Sequence, residues 1–240
     1  MAKEINPFRF KQFMVYHDRA TMKVGTDAVL LGAWVDTSGV DTALDIGTGS
    51  GIIALMLAQR TAPYARIDAV EADPKSVLDA DENIACSPWP KKIITHPVAI
   101  QEFCPQHQYD LVVSNPPYFV NSLLPPTANR QEARHTKSLS YEALLKAAQR
   151  LLRPTGKFAV ILPTKEGDQF QITAKEYGFN CSRRLAFYTR THKPQERWLL
   201  EFVFDQVEPA TEKLILYDKG NEWTQGYRAL TGDFYLSAQA

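Results

Sequence analysis

Between Thr42 and Phe204 the chain alternates between two hydrophobic periods. The short apolar runs TALDI (42–46), ARIDAVE (65–71), KKIITHPV (91–98), YDLVVS (109–114) and GKFAVILP (156–163) predict strands. Between them, SGIIALMLAQR (50–60), PKSVLDADENIAC (74–86), SYEALLKAAQRLL (140–152) and KEGDQFQITAKEY (165–177) carry helical spacing, with Pro74 suited to a first turn and Ser140 to a cap. Strands that alternate with helices of this length predict an α/β fold with a doubly wound, mostly parallel sheet. CSRRLAFYT (181–189) and RWLLEFVF (197–204) are two further strands, joined by a connection too short for a helical crossover. They are therefore expected to pair antiparallel at one edge of the sheet.

The flanks read differently. Residues 8–22 suggest a small hairpin, and 25–35 a short helix that Thr26 or Asp27 caps, with Val29, Leu30, Ala33 and Trp34 on its apolar face. The tail from Pro209 predicts one strand and one short helix packed on the sheet. The expectation is one domain over 1–240: an N-terminal hairpin and helix extension (1–41), a core (42–208) and a C-terminal appendage (209–240).

Composition narrows the class. Lys and Arg number 27 and so do Asp and Glu, so the net charge is zero and any nucleic-acid contact must use a local patch. No apolar run is long enough to cross a membrane, and the first residues mix charges without a signal-peptide core. Cys86, Cys104 and Cys181 are isolated and read as reduced thiols of a cytoplasmic protein, with no metal spacing. His17, His96, His107 and His192 show none either, and read as ordinary surface or packed histidines.

Chemistry concentrates at two strand ends. The strand over 42–46 runs into LDIGTGSG, placing Asp45, Gly47, Gly49 and Gly51 in one turn. Glycines there let the backbone turn sharply and approach a ligand closely. The spacing is G-x-G-x-G rather than the G-x-G-x-x-G of dinucleotide sites, and the carboxylate beside it suits a cationic or amine-bearing ligand. Glu71 follows Gly51 by 20 residues, at the end of the next strand, where a carboxylate can accept both hydroxyls of a ribose; Asp73 is a weaker candidate. This combination resembles the S-adenosylmethionine site of class I methyltransferases. By that resemblance Ala99 and Ile100 pack on the cofactor's adenine, although the acid common at that place in the family is missing.

The strand over 109–114 ends in Asn115, Pro116, Pro117 and Tyr118. Each residue before a proline is held extended. The Asn115 side-chain oxygen and the Pro116 carbonyl then form two acceptors on a rigid frame, with Tyr118 as a flat face and Phe119 as a further wall. Such a pair suits an –NH2 group on a flat π system, whose N–H bonds it orients. The tetrad resembles the motif of amino-methyltransferases acting on adenine N6, cytosine N4, guanine N2 and glutamine amides.

Taken together, FRFKQF, MKVGTDAVLLGAW, LDIGTGSGIIALMLAQR, VEADP, SNPPYF, ARHTKSLSYEALL and ERWLLEF are similar to bacterial tRNA adenine-N6 methyltransferases over nearly the whole chain. That family modifies the adenine 3′ of the anticodon in a valine tRNA. The resemblance implies a seven-stranded Rossmann-like sheet and S-adenosylmethionine as cofactor, no metal, and a monomer. It also implies that Thr26, and less firmly Lys23, approach the cofactor's carboxylate end, with Asn115 serving both cofactor and catalysis. Two basic clusters are candidates for RNA: Arg130, Arg134, His135 and Lys137 after the tetrad, and Arg183, Arg184, Arg190 and Lys193 further on. The rival activities are glutamine-amide N5 methylation of a translation protein and guanine-N2 methylation of ribosomal RNA. A non-catalytic RNA scaffold is a third alternative, but it would have no use for the acceptor pair at Asn115.

Overall fold

The structure is a computed structural model that describes residues 6–20, 23–117 and 139–236. Tyr118, Phe119 and the basic residues Arg130, Arg134, His135 and Lys137 lie outside the described residues. Ten strands are described: β1 (Phe8–Arg9), β2 (Met14–Val15), β3 (Thr42–Ile46), β4 (Arg66–Val70), β5 (Ile93–His96), β6 (Tyr109–Ser114), β7 (Leu152–Pro163), β8 (Asn180–Arg190), β9 (Arg197–Val203) and β10 (Ala210–Tyr217). The described helices are α1 (Thr26–Trp34), α2 (Ile52–Arg60), α3 (Pro74–Ala85), α4 (Tyr141–Leu151), α5 (Thr164–Glu176) and α6 (Gln225–Thr231).

β1 and β2 form the expected small antiparallel hairpin. Among the described residues the main sheet has eight strands in the order β10-β8-β9-β7-β6-β3-β4-β5. Two details differ from expectation. The strand count is eight rather than seven because the tail strand β10 pairs in parallel with β8. For the same reason the antiparallel element is not at an edge: β9 runs antiparallel between β7 and β8, and β10 covers the side of β8 that would otherwise be open.

Alternate residues of each strand face two separate cores. Ala43, Ile67, Ala69, Leu111, Val113, Ala159 and Ile161 pack against α1, α2, α3 and α6. Leu44, Ile46, Val70, Val112, Phe158, Val160 and Leu162 face α4 and α5. The period of two along buried parallel strands therefore distributes apolar residues to both faces.

Local chemistry starts the helices as read. Pro74 sits in the first turn of α3, where Asp73 accepts from the amides of Lys75 and Ser76; Ser140 caps α4 by accepting from the Ala143 amide at 3.1 Å. α1 departs from expectation: Gly25, in extended backbone, is its N-cap, no side chain caps it, and Thr26 is the first helical residue. Nor is α1 amphipathic. Residues 28–34 are all buried, because α2, α6 and β7 surround it.

Candidate active site

Strand register brings the two motifs together. Ile46 aligns with Val70 on one side and Ser114 on the other, so Gly47, Glu71 and Asn115 leave the sheet side by side at its carboxyl edge. That edge is where open α/β sheets bind ligands.

The glycine loop is pinned from both neighbours. The amides of Gly47 and Thr48 donate to the Val70 carbonyl at 2.9 and 3.1 Å, and the Gly51 amide donates to the Thr48 carbonyl. Gly47, Gly49 and Gly51 have φ of 72°, 57° and 83°, a region costly to side-chain-bearing residues. A Cβ on Gly47 or Gly49 would meet nothing within 4 Å, so the loop borders open space that a ligand can fill. A Cβ on Gly51 would lie 3.5 Å from Ala80, which is how closely α3 approaches the loop.

Asp45 is fully buried under this loop. Its Oδ2 accepts from the Thr48 hydroxyl at 2.6 Å and the Ala54 amide at 3.1 Å, while Oδ1 has no hydrogen-bond partner. Burial pushes its carboxyl up to about 7; the two hydrogen bonds oppose that shift and the charge of Glu71 adds to it. Asp45 thus braces the glycine loop from beneath through Thr48 and the start of α2.

Glu71 ties the loop to the next strand. Its Oε2 accepts from the Gly49 amide and its Oε1 from the Asp73 amide, both at 2.9 Å. Each oxygen retains a further lone pair for a ribose hydroxyl. Asp73 is occupied as the cap of α3, accepting also from the Ser76 hydroxyl at 2.7 Å, so the ribose role suits Glu71.

Ile100 is buried and Ala99 half-buried, in the segment that follows β5. Asn115, Pro116 and Pro117 follow β6 beside the loop, and neither proline has an amide to donate. Thr26 reaches the same edge through α1: Asp27 bonds Arg197 at 2.9 Å, and Arg197 aligns with Pro163 at the carboxyl end of β7. Lys23 instead donates to the His17 carbonyl at 2.9 Å.

Part of the site was missed in the sequence. Asn83 of α3 is buried, donates to the carbonyls of Tyr16 and Ser50, and accepts from the Tyr16 amide. Asp79 accepts from the amides of Arg19 and Ala20 at 2.9 and 2.7 Å. Together they fasten residues 16–20 over the glycine loop. The signal available was two polar residues within the buried stripe of a helix, Asp79 and Asn83 among Val77, Ala80 and Ile84.

The second basic cluster is engaged with neighbouring groups along most of its length. Arg183 lies 4.6 Å over the Trp34 ring and pairs with Glu201 and Glu212 at 3.5 and 3.1 Å. Arg184 donates to Thr211 and stacks on Trp198, and Arg190 bonds Gly220 and Asn221 over Tyr217. Lys193 is exposed in the β8–β9 turn, at the carboxyl edge.

Residues 20–178 match the family described as the methyltransferase small domain. The chain belongs to that family. Its cofactor is S-adenosylmethionine; the open space over the glycine loop and the remaining lone pairs of Glu71 are compatible with its methionine end and ribose. Among curated relatives, a Tolumonas auensis protein named tRNA1(Val) (adenine(37)-N6)-methyltransferase is 46% identical over 97% of this chain and 98% of its own length. A Serratia proteamaculans protein of the same name is 45% identical over 95% of this chain and 89% of its own length. Solved structures show the fold: a predicted O-methyltransferase from Agrobacterium tumefaciens has a TM-score of 0.67 at 17% identity, covering 87% of this chain and 96% of that one. A putative RNA methyltransferase from Pyrococcus horikoshii has 0.52 at 20%, covering 73% and 81%.

Proposed function

We propose that this methyltransferase places a methyl group on the exocyclic N6 of an adenine in tRNA, the adenine 3′ of the anticodon in valine tRNA. The position of Asn115, Pro116 and Pro117 at the end of β6, one strand from the glycine loop, carries this reading. Relatives at 42–46% identity that bear the corresponding name support the choice of base.

S-adenosylmethionine supplies an electrophilic methyl group when bound. The residues of the chain hold the acceptor. The Asn115 side-chain oxygen and the Pro116 carbonyl accept from the two N–H bonds of the adenine amine, favouring the pyramidal nitrogen that reacts. Tyr118 provides a face for the base. No strong base is required beforehand, because the nitrogen becomes acidic on methylation and its proton leaves to water. The target base must leave its stack to reach Asn115, which costs less in a tRNA loop than in a duplex. Arg130, Arg134, His135, Lys137 and Lys193 are assigned to tRNA phosphates, and the protein acts as a cytoplasmic monomer.

Labelled S-adenosylmethionine offered separately with tRNA, ribosomal RNA and a protein extract tests the proposal. N6-methyladenosine in tRNA, identified by nucleoside mass spectrometry, is the expected product. Label confined to protein would replace this reading with glutamine-amide methylation.

A further inference from the structure

Asp68 is a buried carboxylate in the middle of β4 that the chemistry above does not use. Its two oxygens collect groups from both ends of residues 97–108. Before the segment, His96 closes β5, and its Nε2 lies 2.6 Å from Asp68 Oδ1. After it, the Tyr109 hydroxyl donates to Oδ2 at 2.8 Å; near the end of the segment itself, His107 Nε2 lies 3.4 Å from the same oxygen without a hydrogen bond to it. Arg66 stands 3.4 Å away on the more exposed side. Only a carboxylate offers enough lone pairs to receive so many groups at one point. Burial, then the charge of Asp68, raise the Tyr109 hydroxyl well above its ordinary value, so Tyr109 keeps its proton and is the donor.

The middle of the segment is held as well. Arg150 of α4 donates to the carbonyls of Phe103 and Ile100 at 2.9 and 3.2 Å, and the Phe103 ring lies 4.7 Å from that of His96. The segment is also joined to the ribose acid, since the Glu71 amide donates to the His96 carbonyl at 3.1 Å. His96, which looked incidental in the sequence, and Tyr109 are thus the two ends of a clamp, with the His107 ring packed 4.8 Å from that of Tyr109.

We infer that Asp68 is a positioning residue: it holds residues 97–108 as a preformed wall for the cofactor's adenine and so sets cofactor affinity without taking part in methyl transfer. This rests on the proposed cofactor site, in which Ala99 and Ile100 line the adenine. With no acid beside Ala99 to grip the purine, affinity on that side depends on the wall being held in place before binding.

The test measures calorimetric binding of S-adenosylhomocysteine to the wild type, Asp68→Asn and Tyr109→Phe, with amide hydrogen exchange over residues 97–108. Both variants should bind about tenfold more weakly, the scale of one lost buried hydrogen bond. Exchange in the segment should quicken. In turnover, KM for S-adenosylmethionine should rise about as much, with kcat at saturation and KM for tRNA within about twofold of wild type. If Asp68→Asn does not fold, Tyr109→Phe carries the same readouts. Variants that bind like the wild type, or that lose kcat with KM unchanged, would overturn the inference alone. A wild type that binds no S-adenosylhomocysteine would overturn the cofactor site and the inference with it.

Discussion

The two halves of the sheet differ in what their strand ends present. In the half built from β3, β4, β5 and β6, the glycine loop borders open space at the carboxyl edge with Glu71 beside it, while Asp68 within β4 is paired with His96 and Tyr109. In the half built from β8, β9 and β10, charged side chains lie along the strands and find partners on neighbouring elements, as Arg183 does with Trp34, Glu201 and Glu212. A run of arginines is therefore weaker evidence of a binding surface than a loop that opens onto unfilled space at a strand end. What distinguishes them is whether neighbouring strands already supply partners for the side chains.

This contrast can be broken experimentally. The largest effect is expected at the strand ends. Asn115→Ala should lower kcat by about 10²- to 10³-fold, as when one aligned hydrogen-bonding group is removed from a reacting centre, with cofactor affinity within a few-fold. A fully active variant would remove the acceptor pair from the mechanism. Next in size, Arg183→Ala should cost about 1–3 kcal/mol in urea unfolding, because it leaves Glu201 buried without its cation. The salt dependence of tRNA binding should stay as in the wild type, whereas Lys193→Ala should reduce its slope. The reverse result would make Arg183 an RNA contact and erase the difference between the halves.

A third effect, read across pH rather than at one pH, concerns Asp45. Its carboxyl is raised from 3.8 to about 7 in the folded chain, so between those values the native state holds a proton that the unfolded state has lost. Its contribution to stability is full below that window and is lost as pH rises through about 7. The slope is at most about 1.4 kcal/mol per pH unit. Asp45→Asn should flatten this part of the profile, and comparison of the two proteins by urea unfolding across the window isolates it. Identical profiles would mean that Asp45 is already charged and paired.

Much of the site was legible because each motif is contiguous and attached to one strand. LDIGTGSG needs left-handed φ at Gly47, Gly49 and Gly51, and that requirement is visible in the residues themselves. Asn115-Pro116-Pro117 could be placed beside it once the helix and strand periods implied a parallel sheet. The basic run was legible as composition and misleading as geometry. Its partners Trp34 and Glu212 come from distant parts of the chain, and Glu212 reaches Arg183 because β10 adds to the sheet beside β8.

By itself, then, the sequence determined the alternation of strands and helices, the first turn of α3 and the cap of α4, the glycine turn and the rigid end of β6. These depend on φ restrictions, hydrogen bonds within a few residues and hydrophobic period. The tertiary structure alone decided the interior place of β9, the burial of α1 on every side, and the fastening of residues 16–20 by Asn83 and Asp79. It also decided the meeting of His96 and Tyr109 at Asp68. Those arrangements satisfy buried polar groups with partners remote in the chain, and such pairings exist only once the sheet has brought its strands into order.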